Sequence, residues 1–76
     1  FPNPTSGVLH VELNNQLTIH SLTVYDLSGR MLIQRNIQDK DYNNVNIDLS
    51  NFSSGTYLLK ITTNQGSLHR KFEIIR

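Results

Sequence analysis

The chain contains no cysteine. No disulfide can staple it, and no thiolate metal site can form. That absence removes an extracellular disulfide framework without fixing a compartment. An excess of one charge sign is missing too. The formal net charge is +1 and charged residues make up 17%, far from the clustered lysine and arginine of a nucleic-acid footprint. Only Arg70-Lys71 and Arg76 gather positive charge. No apolar run approaches the roughly 20 residues a membrane helix needs, so neither a nucleic acid nor membrane insertion is expected. No secretory signal opens the chain. It begins with Phe1, which is not an initiator, so a fragment of something longer or a processed product is expected.

What is present is short and pleated. A chain of 76 residues argues for one domain, 1–76. A domain of this size buries only about 60% of the surface its unfolded form exposes, so its core is thin and its stability small. Apolar residues recur with a period of two nearly everywhere. Leu9, Val11 and Leu13 alternate with Val8, His10 and Glu12; Leu22 and Val24 with Thr23 and Tyr25; Val45, Ile47 and Leu49 with Asn46 and Asp48. Tyr57, Leu59 and Ile61 alternate with Leu58, Lys60 and Thr62, and Phe72 and Ile74 with Lys71 and Glu73. Each run has one apolar face, as antiparallel strands covering a core on one side require. No stretch holds a helical stripe; Ile37 to Tyr42 is the nearest, and it is too short and polar.

Turn chemistry divides the runs. Pro2-Asn3-Pro4-Thr5-Ser6-Gly7 is a stiff lead-in, because both prolines fix φ and the residue before a proline avoids the helical region. Asp26-Leu27-Ser28-Gly29 reads as a tight connection in which Gly29 takes the left-handed conformation of a bulged hairpin. Asn64-Gln65-Gly66 joins the last two strands in the same way. Gln38 to Asn44 and Ser50 to Ser54 are the remaining loops. Six strands result, about 8–13, 19–27, 30–36, 45–49, 56–63 and 67–75. Their spacing fits a small, all-β antiparallel sandwich or barrel of six to seven strands, with a Greek-key sandwich favoured by the tyrosine spacing that follows. The spacing of Phe52, Gly55 and Tyr57 is that of a tyrosine corner, so Tyr57 should be buried with its hydroxyl near the backbone of residues 50–54.

The chemistry-bearing residues assemble no reaction centre. His10, His20 and His69 fall on three separate strands, none at a ligand-pair spacing, and read as solvent-facing positions. Asp26, Asp39, Asp41 and Asp48 form no Asp-x-Asx-x-Asx-Gly loop; Asp26 fits better as an acceptor of backbone N–H groups in its own turn. No serine lies in Gly-x-Ser-x-Gly, and so thin a domain has no room for a deep catalytic cleft. The expectation is no enzyme, no metal and no cofactor. Asn51-Phe52-Ser53 matches the short N-glycosylation pattern. Tyr25 and Tyr42 fall outside the core face and offer a surface to a sugar.

Four segments in order then carry a resemblance. Phe1-Pro2-Asn3-Pro4-Thr5-Ser6-Gly7 opens the chain. Val24-Tyr25-Asp26-Leu27-Ser28-Gly29-Arg30 follows the first hairpin strand. Asp48-Leu49-Ser50-Asn51-Phe52-Ser53-Ser54-Gly55-Thr56-Tyr57 leads into the fifth strand, and Lys71-Phe72-Glu73-Ile74-Ile75-Arg76 closes the chain. The chain resembles the carboxyl-terminal sorting domain of type IX secretion substrates, the Por secretion signal of Bacteroidetes-type bacteria, along essentially its whole length. The motif positions are Pro2, Asn3, Pro4, Gly7, Asp26, Gly29, Gly55 and Tyr57. Ser54 departs from the alanine or proline that the family often has near this point.

The resemblance implies an immunoglobulin-like sandwich at the end of a secreted cargo. Such a domain directs the cargo in cis through the outer-membrane type IX translocon, to the cell surface or the medium, and a sortase-like protease often removes it. The bottom-up expectation for the recognised surface is the last hairpin, with Arg70, Lys71 and Arg76 as its chemical mark and strand addition as the mode. An unpaired edge strand also invites weak self-association. The competing expectation is a non-catalytic binding or adhesion module for carbohydrate or protein.

Overall fold

A computed structural model describes residues 7–14, 16–37 and 43–75. Six strands form, none ending more than one residue from its expected place: β1 (Val8–Glu12), β2 (Ile19–Asp26), β3 (Met31–Asn36), β4 (Asn44–Asp48), β5 (Gly55–Thr63) and β6 (Gly66–Ile74). They make two antiparallel sheets, one of four strands in the order β3-β2-β5-β6 and one of two, β1-β4. The seventh strand that the spacing allowed for is absent among the described residues.

The alternating residues explain the layering. Leu9 and Val11 of β1 and Val45 and Ile47 of β4 face Leu22, Val24, Leu59, Ile61, Phe72 and Ile74 of the larger sheet, and all are buried. Burying each such side chain is worth about 1.5–3 kcal/mol, the main term holding so small a domain together. The period-two pattern of burial fails within β2. Thr23 is buried although it lies on the outer face of β2. β2 is an inner strand, so Thr23 is flanked by Gln34 of β3 and Lys60 of β5. Long side chains on both sides cover a short one between them.

Two hairpins set the register. In the first, Val24 opposes Ile33 but Tyr25 opposes Met31, so Leu32 is the extra residue of a bulge. That bulge accounts for Leu32 and Ile33 both being half-buried; a bulge re-aims the side chains around it. In the second, Thr63 opposes Gly66 across Asn64-Gln65.

Two arginines sit on core-facing positions of the outer strands. Arg35 of β3, in register with Leu22, sends Nη1 across to the carbonyl of Asn46 in β4 at 3.2 Å. Arg70 of β6, in register with Leu59, turns back to donate to the carbonyl of His69 at 2.8 Å. Inward-placed charge on an edge strand is a device against unwanted strand pairing.

Candidate functional site

The sandwich has two ends, and the described parts of the motif segments converge on one. Asp26 pairs with Tyr57, Tyr57 with Phe72, and Gly55 with Ile74. The β2–β3 turn, the start of β5 and the finish of β6 therefore lie side by side. The start of β1 joins them, because the Leu49 N–H donates to the Gly7 carbonyl at 2.7 Å and Leu49 opens the β4–β5 connection. Gly7, grouped by sequence with the lead-in, thus already belongs to the β1–β4 ladder. Pro2, Asn3 and Pro4 lie outside the described residues, as do Arg76, Asp39, Asp41 and Tyr42.

The β2–β3 turn is built around one carboxylate. Asp26 Oδ1 accepts from the Ser28 N–H at 3.0 Å, the Ser28 hydroxyl at 2.6 Å and the Arg30 N–H at 2.9 Å. Its Oδ2 accepts from Arg30 Nε at 3.2 Å. The Ser28 hydroxyl first, then the Arg30 N–H, hold the Asp26 carboxyl below the usual aspartate range, with the Ser28 N–H and the Arg30 charge adding to them against desolvation. Gly29 has φ +93°, the left-handed region that side chains rarely enter. This is the aspartate-centred turn and left-handed glycine expected from the sequence.

The β4–β5 connection is built around a tyrosine. The Tyr57 hydroxyl donates to the Ser53 carbonyl at 2.8 Å, and Tyr57 is buried. Its ring stacks on Phe72 at 5.8 Å between centroids and lies 5.7 Å from Phe52. Gly55, at φ +158°, runs beside that ring. The tyrosine-corner expectation is met in each of these respects. Asp48 caps the same connection, its Oδ1 accepting from the Ser50 N–H at 2.9 Å.

Between the two lies an open cleft of about 360 Å³. Leu32, Phe52 and Tyr57 give it apolar lining; Asp26 and Arg30 contribute from the turn and Asn51 from the connection. Sequence reasoning found Asp26 and Tyr57 but missed this cleft, because Leu32 reaches it only through the bulge.

The other candidates stay apart. His10 bonds to Asn46 across the β1–β4 ladder and approaches Glu12 at 3.5 Å, while His20 and His69 are exposed on other strands. Among the described residues no group of three histidine, aspartate or glutamate side chains could hold a metal ion. No helix there is long and apolar enough to cross a membrane. Tyr25 is half-buried beside Leu58 and Met31 on the outer face of the larger sheet. Arg70 and Lys71 are exposed on β6.

Compared with known families, residues 1–75 match the one described as the secretion system C-terminal sorting domain. The chain belongs to this family. It is a C-terminal sorting signal for type IX secretion, carried in cis by a cargo protein that is secreted to the cell surface or the medium. The family is one of non-catalytic tails. No curated protein and no solved structure matches the chain. The match covers the first three motif segments whole and the fourth as far as Ile75.

Proposed function

We propose that the type IX translocon reads the sorting domain along β6, with Arg70, Lys71 and Arg76 as the charged contacts. The observation that carries this is the position of β6 as the outermost strand of the four-stranded sheet. A strand added there would extend the sheet by backbone hydrogen bonds, a recurring mode of extended-peptide recognition. The guanidinium of Arg70 covers the His69 carbonyl and has to swing away first. The edge is thereby closed to casual pairing, including weak self-association through β6, and opens to a partner that offers Arg70 a better acceptor. A single folded unit, 1–76, with its proline-containing lead-in as the spacer from cargo, suits a signal that must present one surface behind any cargo. A sortase-like protease that trims the domain acts upstream of this contact. The domain carries no chemistry of its own.

The test fuses the 76-residue chain behind a periplasm-directed reporter in a bacterium with a type IX system. Removing Lys71–Arg76 outright is a poor probe, because it deletes Phe72 and Ile74, both fully buried. The double variant Arg70→Glu, Lys71→Glu keeps the core. Reporter held in the periplasm, with an unchanged melting temperature, is the expected result. Export at the unaltered level would refute β6 as the recognised strand.

A further inference from the structure

Among the described residues four large apolar side chains are strongly exposed: Val8 (54%), Leu27 (64%), Met31 (53%) and Ile75 (54%). They come from four different places in the sequence. All four lie at the end where the motif segments converge. Val8 opens β1 opposite Asp48, Leu27 caps the β2–β3 turn, Met31 opens β3 opposite Tyr25, and Ile75 follows Ile74, which faces Gly55. The described loops of the opposite end, Leu13–Thr18 and Asn64-Gln65, expose no large apolar residue. Single exposed apolar residues are ordinary; here Leu27 and Met31 bracket the β2–β3 turn, while Val8 lies on the outer face of the other sheet.

The β2–β3 turn supplies the polar part of this surface. Arg30 is 75% exposed. Its Nε is held by Asp26, while its two terminal nitrogens donate to nothing among the described residues. A guanidinium fixed at Nε presents those two nitrogens as a fork, the geometry that takes a carboxylate in two parallel bonds. The Asp26 oxygens are already occupied by the turn, so Asp26 orients Arg30 without competing for the partner's charge. The apolar cleft lined by Leu32, Phe52 and Tyr57 opens beside it.

We infer that this end of the sandwich is a second docking surface, and that its partner is a protein of the export machinery presenting a carboxylate beside an apolar recess. The carboxylate takes the Arg30 fork, and the recess covers Leu27 and Met31. A protein suits this surface better than a lipid bilayer. Asp26, Asp48 and Asn51 stand among the apolar groups, and sinking carboxylates into hydrocarbon costs more than four scattered side chains return. The inference rests on the sorting role but is independent of β6, which it would reinforce by a contact on a different face.

The experiment uses the same reporter fusion. A photo-crosslinking side chain replaces Leu27 in one strain and Gln65, at the opposite end, in another. In parallel, Leu27→Asp/Met31→Asp and Arg30→Gln are scored for export and for melting temperature. We expect an adduct with an outer-membrane component of the type IX machinery from position 27 and none from position 65. Export by the Leu27→Asp/Met31→Asp variant should fall by about tenfold or more, the loss typical of truncated hot-spot side chains, with melting unchanged. Equal adducts from both ends, an adduct between two copies of the chain, or full export by the aspartate variant would each overturn the inference. Binding of the isolated domain to phosphatidylethanolamine–phosphatidylglycerol vesicles that the aspartate variant abolishes would overturn it as well. Failure of the unaltered fusion to leave the periplasm would instead strike the sorting role, on which the inference depends.

Discussion

The two ends of this sandwich solve the same local problem and differ in what they leave over. Each must satisfy backbone groups where strands stop. The motif end does so with Asp26, Asp48 and the Tyr57 hydroxyl. The opposite end uses Thr63, whose Oγ1 donates to the Gly66 carbonyl at 2.8 Å and accepts from the Gln65 N–H at 3.0 Å. There Asn64 and Thr18 also exchange two bonds, Thr18 N–H to Asn64 Oδ1 and Asn64 N–H to the Thr18 carbonyl. Capping is therefore common to both ends and says nothing about function. Among the described residues, the strongly exposed apolar side chains and the cleft beside Arg30 lie at the motif end. They contribute little to the fold.

That contrast can be broken or sharpened by experiment. The largest effect should come from the core that both ends share. Phe72→Ala should cost about 3–5 kcal/mol, comparable to the whole stability expected of so small a domain. Urea titration should find the variant unfolded in buffer and both ends lost together. A cooperative native-like transition would show that the ends are stabilised separately. Next is Gly29→Ala, which forces a Cβ into the left-handed region at a cost of about 1–2 kcal/mol. Calorimetry should show a lowered but still cooperative transition. Should export fall further than this loss of stability explains, the shape of the β2–β3 turn is itself recognised.

Smaller and matched are Tyr57→Phe at one end and Thr63→Val at the other. Each deletes one side-chain hydroxyl, which makes one hydrogen bond at Tyr57 and two at Thr63, and should cost about 1–2 kcal/mol. Equal losses of stability with export impaired only by changes at the motif end would confirm that the two ends share capping and differ in role. Equal losses of export would erase the distinction.

The smallest effect is a pH dependence confined to the turn. The Asp26 carboxyl titrates below its ordinary value because the Ser28 hydroxyl and the Arg30 N–H favour the charged form. Its folded value is depressed, so it stabilises the fold above the unfolded value of about 4. That contribution fades as pH falls through the lower folded value. Melting curves between neutral pH and pH of about 2 should therefore show Asp26→Asn less stable at neutrality, with the difference shrinking on acidification. A constant gap between the two curves would mean that the bonds to Asp26 do not depend on its charge.

Much of this was legible in the chain. Strand alternation placed Leu9, Val11, Leu59, Ile61, Phe72 and Ile74 inside, because a pleat has only two faces and one must avoid water. The Asp26 turn and the Tyr57 corner were legible because each is a local device, closed within four residues along the chain. Thr23 was misplaced by the alternation rule, since its burial depends on two neighbouring strands rather than on its own. The cleft was invisible because its walls come from β3, the β2–β3 turn and the β4–β5 connection, and because Leu32 enters it through a one-residue slip in register.

The sequence by itself determined the strands, the turns, the buried face and membership in the sorting family, since each follows from spacing along a few residues or from motifs in a fixed order. Only the tertiary structure decided that the described parts of the motif segments, and with them Val8, Leu27, Met31 and Ile75, share one end. Which strand finishes lie together is set by antiparallel pairing between distant segments, β1 with β4 and β2 with β5. That pairing is fixed by the closing of two sheets over one core and by nothing local to any of the segments it brings together.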